Sequence, residues 1–130
     1  MSSDKVDISG SCLCGGVRFE ARQHDAPEMC HCSQCRKWAG HAWAAVGSKK
    51  LTIKGRKHLR WYRSSDDAER AFCAVCGSSL FWRQDGEKHI AISMGSIDPP
   101  TGMTLSGHIF TADKGDYYEI GDGLPQKKKG

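Results

Sequence analysis

The sequence predicts an all-β domain, rich in loops and with little helix. Helical periodicity is almost absent, short apolar or alternating runs recur between Gly, Pro and Asp, and 15 of the 130 residues are glycine. The length suits one ordinary domain, and no shift in composition marks a second. Residues 1–125 are expected to form that domain, and residues 126–130, with three lysines, a basic disordered tail.

The first strand is expected at residues 16–21, where apolar and polar side chains alternate. Residues 33–38 are the one stretch with room for a helical turn. Strands follow at 41–46, 51–54 and 58–63, and Gly55 marks the turn of a hairpin between the last two. A short strand is expected at 70–72. Residues 79–83 and 89–94 form the clearest hairpin, because Asp85 and Gly86 can both take positive φ in a tight turn. The series closes at 107–111.

Between positions 49 and 63 lie Lys49, Lys50, Lys54, Arg56, Lys57, Arg60 and Arg63, with no acidic residue and with Trp61 and Tyr62 among them. Alternation turns Leu51, Ile53, Leu59 and Trp61 inward and leaves the basic side chains on a solvated face. The rival reading is a non-enzymatic zinc-binding module that contacts nucleic acid or an acidic protein through this basic hairpin. A net charge of +4 is below what marks a nucleic-acid-binding domain by itself. Residues 1–7 lack the apolar stretch of a secretory signal, and no segment is long and apolar enough for a membrane helix. A cytoplasmic location is therefore expected, with no membrane partner.

Seven cysteines fall in three clusters: Cys12 and Cys14; Cys30, Cys32 and Cys35; Cys73 and Cys76. In a reducing compartment such spacing suits metal ligands better than disulfides, and an odd count weakens the disulfide reading further. The run from Cys73 to Gly77 has the form of a zinc knuckle. Cys12 and Cys14 supply its natural partner, since alternate residues of an extended segment face one way. Four thiolates would close a structural zinc site; the alternative is four buried free thiols.

The remaining three thiols lie within six residues and form a tripod for one ion. Water, a substrate or a histidine is left as the fourth ligand. His31 points away from the tripod if its segment is extended, whereas His41 could return and close the site as a structural zinc. A redox role for Cys32 and Cys35 is disfavoured, because the chain shows neither the helix nor the βαβ pattern of redox Cys-x-x-Cys sites.

The runs Gly10 to Val17, Cys30 to Lys37 and Cys73 to Gly77, followed by Gly95 to Asp98, His108 to Phe110 and Asp122 to Pro125, resemble the glutathione-dependent formaldehyde-activating enzyme family, which includes centromere protein V. The resemblance covers nearly the whole chain. It implies a β-tent of small antiparallel sheets, a structural zinc on Cys12, Cys14, Cys73 and Cys76, and a second, catalytic zinc on Cys30, Cys32 and Cys35. It also implies a carbon–sulfur lyase that joins formaldehyde to glutathione as S-hydroxymethylglutathione. The segment from Trp38 to Trp43 departs from the family in being richer in aromatic and imidazole groups.

Three thiolates on a zinc dication leave a net charge of about −1, so the metal polarises a carbonyl poorly and favours a soft ligand. A small thiol such as glutathione is the expected partner, deprotonated at the vacant position to attack a small aldehyde. His31 or His41 would shuttle the proton, and Arg36 and Lys37 would hold substrate carboxylates. The second zinc is expected to be the labile one; exchangeable metal at both sites would instead suit a zinc carrier.

Overall fold

The computed structural model describes residues 5–130, so residues 1–4 of the expected domain lie outside it. Nine strands form one sheet: β1 Asp7–Ser11, β2 Arg18–Gln23, β3 Glu28–Cys30, β4 Trp43–Lys54, β5 Leu59–Arg63, β6 Ala68–Cys73, β7 Ser79–Gln84, β8 Ile90–Ser93 and β9 Gly107–Ile109. The order is β1-β2-β4-β8-β7-β6-β5, and β3 lies between one end of β4 and β9. Every pairing is antiparallel except that of β3 with β9. A single α-helix, α1 (Ser33–Ala39), follows the central cysteines. No helix among the described residues is long and apolar enough to cross a membrane.

The expected strands at 41–46 and 51–54 are one strand. β4 runs without a break because it serves two neighbours in succession on one edge, β3 at Trp43–Ala45 and β2 at Ser48–Lys54, while β8 takes its other edge. The hairpin at Gly55 does not form. With both edges of β4 occupied, Gly55 and the 3-10 turn Arg56–His58 carry the chain to the far end of the sheet, where β5 pairs with β6. The basic residues from 49 to 63 are thereby divided among two strands that do not pair and the 3-10 turn between them. Arg63 is also engaged, 3.0 Å from Asp85 and 3.4 Å from Glu69. The hairpin of β7 and β8 forms, turning at Gly86 with φ 81°.

Alternation along the strands gives the sheet two different faces. Trp61, Ala71, Phe81, Ile92 and Val46 form one cross-strand row from β5 to β4, and with Phe19, Ile53, Leu59, Leu80 and Val17 they make the core. Leu51, Ile53, Leu59 and Trp61 face inward as expected. Phe19 of β2 meets Phe81 of β7 edge to face at 5.3 Å although β4 and β8 lie between their strands, so the sheet is strongly curled. The next residues along, Arg70, Trp82, Ala91 and Gly47, form the corresponding row on the opposite face, and that face carries the site described below.

Residues 126–130, expected as a frayed tail, run beside β9 instead. Lys127 N–H donates to His108 O at 2.9 Å, and Thr111 N–H donates to Lys127 O at 3.0 Å. The parallel pairing of β3 and β9 leaves the other edge of β9 free, and the chain end satisfies its backbone groups.

Gly55 has φ 79°, and a Cβ there would lie 1.9 Å from Gly16 O. Gly55→Ala is therefore expected to lower the unfolding free energy by more than about 2 kcal/mol. A denaturant midpoint that does not move would show that the turn is not so constrained.

Candidate metal and active site

The sulfur atoms of Cys12, Cys14, Cys73 and Cys76 lie within 4.8 Å of one another. Cys12 Sγ is 3.5 Å from Cys14 Sγ, which is 3.8 Å from Cys73 Sγ. A tetrahedron with metal–sulfur bonds of about 2.3 Å has sulfur–sulfur edges of about 3.8 Å, so the set fits a zinc ion. Each pair sits on a tight turn. Gly77, at φ 81°, donates its N–H to Cys73 O at 2.8 Å, and Gly15, at φ 79°, donates to Cys12 O at 3.1 Å. The turns also supply donors to sulfur: Val17 N–H reaches Cys12 Sγ at 3.3 Å, and the Ser78 hydroxyl, 3.3 Å from Cys76 Sγ, pulls that thiol down to about 5.

Cys30, Cys32 and Cys35 form the second cluster, again within 4.8 Å. Cys30 ends β3, Cys32 caps the N-terminus of α1, and Cys35 lies one turn into the helix. The cap is a real one, with Cys35 N–H donating to Cys32 Sγ at 3.3 Å. Hydrogen bonds from Cys30 and then Cys35 hold the Cys32 thiol far below its ordinary value, and the Cys30 thiol is raised in return, first by Cys32. At Cys35 the bond with Cys30 acts downward, but Cys32 and burial outweigh it and the thiol stays high. One thiolate thus forms readily and opposes the next two. A bound dication would relieve that opposition.

The tripod opens into a cleft of about 500 Å³ on the non-core face of the sheet, walled by Trp43, Trp82 and Phe110. No histidine, aspartate or glutamate among the described residues joins the three sulfurs as a fourth ligand. Arg70 of β6, 5% exposed, donates from Nη1 to Cys35 Sγ at 3.5 Å and from Nη2 to Gln34 Oε1 at 3.4 Å. Its guanidinium carbon lies 5.1 Å from the centre of the Trp38 ring.

Other expected residues lie elsewhere. Arg36 and Lys37 do not line the cleft, because α1 turns Cys35 and Gln34 toward Arg70 and carries these two round to its other side. His41 is exposed, with its Nδ1 2.7 Å from the Tyr117 hydroxyl, and is not a tripod ligand. His31, 2% exposed, is not among the groups that could share an ion with the three sulfurs, and both its ring nitrogens have other partners. The imidazole that lines the cleft is His89. Neither Arg70 nor His89 stands out in the sequence, where one is a strand residue among other charges and the other follows a turn.

His31 belongs to a chain of hydrogen bonds whose two imidazoles are buried and whose carboxylate is exposed. Asp122 Oδ2 lies 2.8 Å from His108 Nε2, His108 Nδ1 lies 2.9 Å from His31 Nε2, and His31 Nδ1 lies 2.5 Å from the Tyr118 hydroxyl. With both rings neutral and the carboxylate able only to accept, His108 donates to Asp122, His31 to His108, and Tyr118 to His31. Burial, with His108 second, lowers the affinity of His31 for a further proton and keeps the ring neutral. The chain ties the segment that carries Cys30 and Cys32 to the last part of the protein. The backbone adds His31 N–H to Ile109 O at 3.0 Å.

A family model described as glutathione-dependent formaldehyde-activating enzyme matches residues 7–113, which include all seven cysteines. A Schizosaccharomyces pombe protein named as an uncharacterised lyase is 27% identical over 118 residues, 88% of this chain and 85% of that protein. A Halomonas elongata protein, named provisionally as a glutathione-dependent formaldehyde-activating enzyme, is 36% identical over 85 residues, 57% of this chain and 54% of its own. The crystal structure of a Rhodobacter sphaeroides protein, 21% identical, matches with a TM-score of 0.62 over 77% of this chain and 98% of that one, and so shares the fold.

His31→Leu would leave the Tyr118 hydroxyl and the acceptor nitrogen of His108 without their partners. A loss of about 1–3 kcal/mol in unfolding free energy is expected. Denaturation monitored by tryptophan fluorescence checks this, and an unchanged midpoint would mean that the chain contributes nothing.

Proposed function

Since the chain belongs to the glutathione-dependent formaldehyde-activating enzyme family, we propose that it is a zinc-dependent carbon–sulfur lyase that joins a small aldehyde to a thiol or cleaves such an adduct. Glutathione and formaldehyde are the pair to test first. The observation that carries this reading is the tripod of Cys30, Cys32 and Cys35, open to a cleft of about 500 Å³ and without a fourth protein ligand among the described residues. A closed structural site would have no such opening. Cys12, Cys14, Cys73 and Cys76 are proposed to hold a second, structural zinc.

A zinc ion held by the tripod would supply a soft, electron-rich centre that favours the thiolate form of a substrate thiol. The remaining work falls to the protein. Trp43, Trp82 and Phe110 give the cleft an apolar wall against which a small aldehyde would rest. As the sulfur–carbon bond forms, the carbonyl π bond opens, and its oxygen takes up a proton equivalent to the one the thiol released. His89 also lines the cleft, but just before β8, whose Ile90 pairs with Ser48, five positions along β4 from the Trp43 that pairs with Cys30, so solvent carries that proton; His31 is sealed in its own chain and His41 faces Tyr117. A reducing, cytoplasmic setting suits seven free thiols.

Cys32→Ser should abolish adduct formation, followed by NMR with labelled formaldehyde, while leaving the fold and one bound metal per chain. Full activity in this variant would refute the open three-thiolate site. Graded chelation should act in two stages. The tripod metal should leave first, removing activity with the circular dichroism unchanged, and the four-cysteine metal should leave later together with the fold. Simultaneous loss of both ions and of structure would count against the division of roles.

A further inference from the structure

We propose that Arg70 is the built-in counter-charge of the three-cysteine site, a positioning residue that acts through Cys35 to retain a metal there and to let a fourth, anionic thiol join it. The inference rests on the reading of the tripod as a metal site that takes a thiol.

Arg70 is a buried cation on the face of the sheet opposite the core. A buried charge is tolerated only when it is paired and hydrogen-bonded. Among the described residues, no carboxylate lies within ion-pair distance of it. The neighbouring carboxylate on β6, Glu69, points to the other side and pairs with Arg63 and Arg83 at 3.4 Å each. The Nε of Arg70 is buried without a partner, and its two terminal nitrogens meet only Gln34 Oε1 and Cys35 Sγ. The negative charge that justifies burying this guanidinium is therefore that of the cysteine set itself.

The charges then balance. Three thiolates and a zinc dication sum to −1, and Arg70 brings the enclosed total to zero. A substrate thiol that sheds its proton to solvent takes that total to −1. Without Arg70 the same step would begin at −1 and end at −2, in a cleft whose other charged side chains are the carboxylates of Asp25, Glu28, Asp67 and Asp113 and the titratable ring of His89. Each of those acids opposes the entry of another anion. From α1, Gln34 and Cys35 face the guanidinium, and Trp38 covers it. The segment between β5 and β6 contributes Asp67, while β7 contributes Trp82 and β5 Tyr62, the two cross-strand neighbours of Arg70. Arginine suits this position better than lysine, because its planar fork reaches both Gln34 and Cys35 while stacking on an aromatic ring.

The test uses cobalt(II)-loaded protein, whose thiolate charge-transfer bands report metal retention, with glutathione as the thiol probe. Arg70→Gln should release cobalt from the tripod at chelator concentrations about 10–100-fold lower than wild type, with the four-cysteine cobalt unaffected. The pH midpoint of the spectral change on adding glutathione should rise by about one unit or more. Arg70→Lys, which restores the charge but not the fork, should return that midpoint toward the wild-type value. A wild-type midpoint and wild-type cobalt retention in Arg70→Gln would overturn the proposal. So would a shift in Arg70→Lys as large as in Arg70→Gln, since the effect would then belong to packing. Should Arg70→Gln lose the four-cysteine bands by failing to fold, the Lys variant decides alone: a wild-type midpoint supports the proposal and a raised one overturns it. Arg70-dependent thiol binding without adduct formation from any aldehyde would sink the lyase reading and leave this one standing. Adduct formation with a wild-type thiol midpoint in Arg70→Gln would do the reverse.

Discussion

The contact between Cys14 and Cys73, 3.8 Å apart at sulfur, is the constraint on which the rest of the structure depends. It joins the turn after β1 to the turn after β6, and in the sheet β2, β4, β8 and β7 stand between those two strands. A flat sheet could not bring them together. The sheet must curl until the two turns meet, and that curl places Phe19 against Phe81 and closes the core on the concave side. A metal holding four thiolates there would supply about 10–16 kcal/mol of apparent binding free energy, comparable to the whole net stability of a domain.

Once one face of the curled sheet is the core, the strand period of two decides what the other face can carry. Ala71, Phe81 and Ile92 cannot leave the core, so Arg70, Trp82 and Ala91 must lie on the face where β3, α1 and the segment after β9 pack. A slip of one residue in β6 would send Arg70 into the core and Ala71 into the cleft. The bulge between Ala71 and Phe72 comes just after the position that matters, and it lets Phe72 stand opposite Ser79 while Cys73 reaches the four-cysteine cluster.

The cysteine sets were legible in the sequence because each pair or triplet is local, and short spacing fixes where sulfurs can point almost regardless of the fold. The inward positions Leu51, Ile53, Leu59 and Trp61 were legible for the same reason, since alternation is a local signal. Pairing partners were not. Gly55 has the positive φ that a hairpin turn needs, yet which strand lies beside β4 is settled by competition for its edges. β1 and β3 carried too little signal. One is a five-residue run with Asp, Gly and two serines, and the other has only three residues and exists because β4 and β9 flank it. The chain from Asp122 to Tyr118 through two histidines joins residues 77 and 87 positions apart, and no local pattern announces such contacts. Arg70 was hidden differently: a charged residue on a strand reads as a solvent-facing one until the helix that covers it is in place.

The two cysteine sets differ in the length of chain they close. Cys12 and Cys76 are 64 positions apart, so holding them together removes much freedom from the unfolded chain, whereas Cys30 and Cys35 are five apart and holding them removes little. Metal binding at the tripod would therefore contribute little to the fold, and the fold must position the tripod. It does so from three sides, through the pairing of Cys30 with Trp43 and Ile109, the helix cap at Cys32, and the guanidinium beside Cys35. The tripod is thus a thiol set that the fold positions from three sides and hardly needs for its own stability.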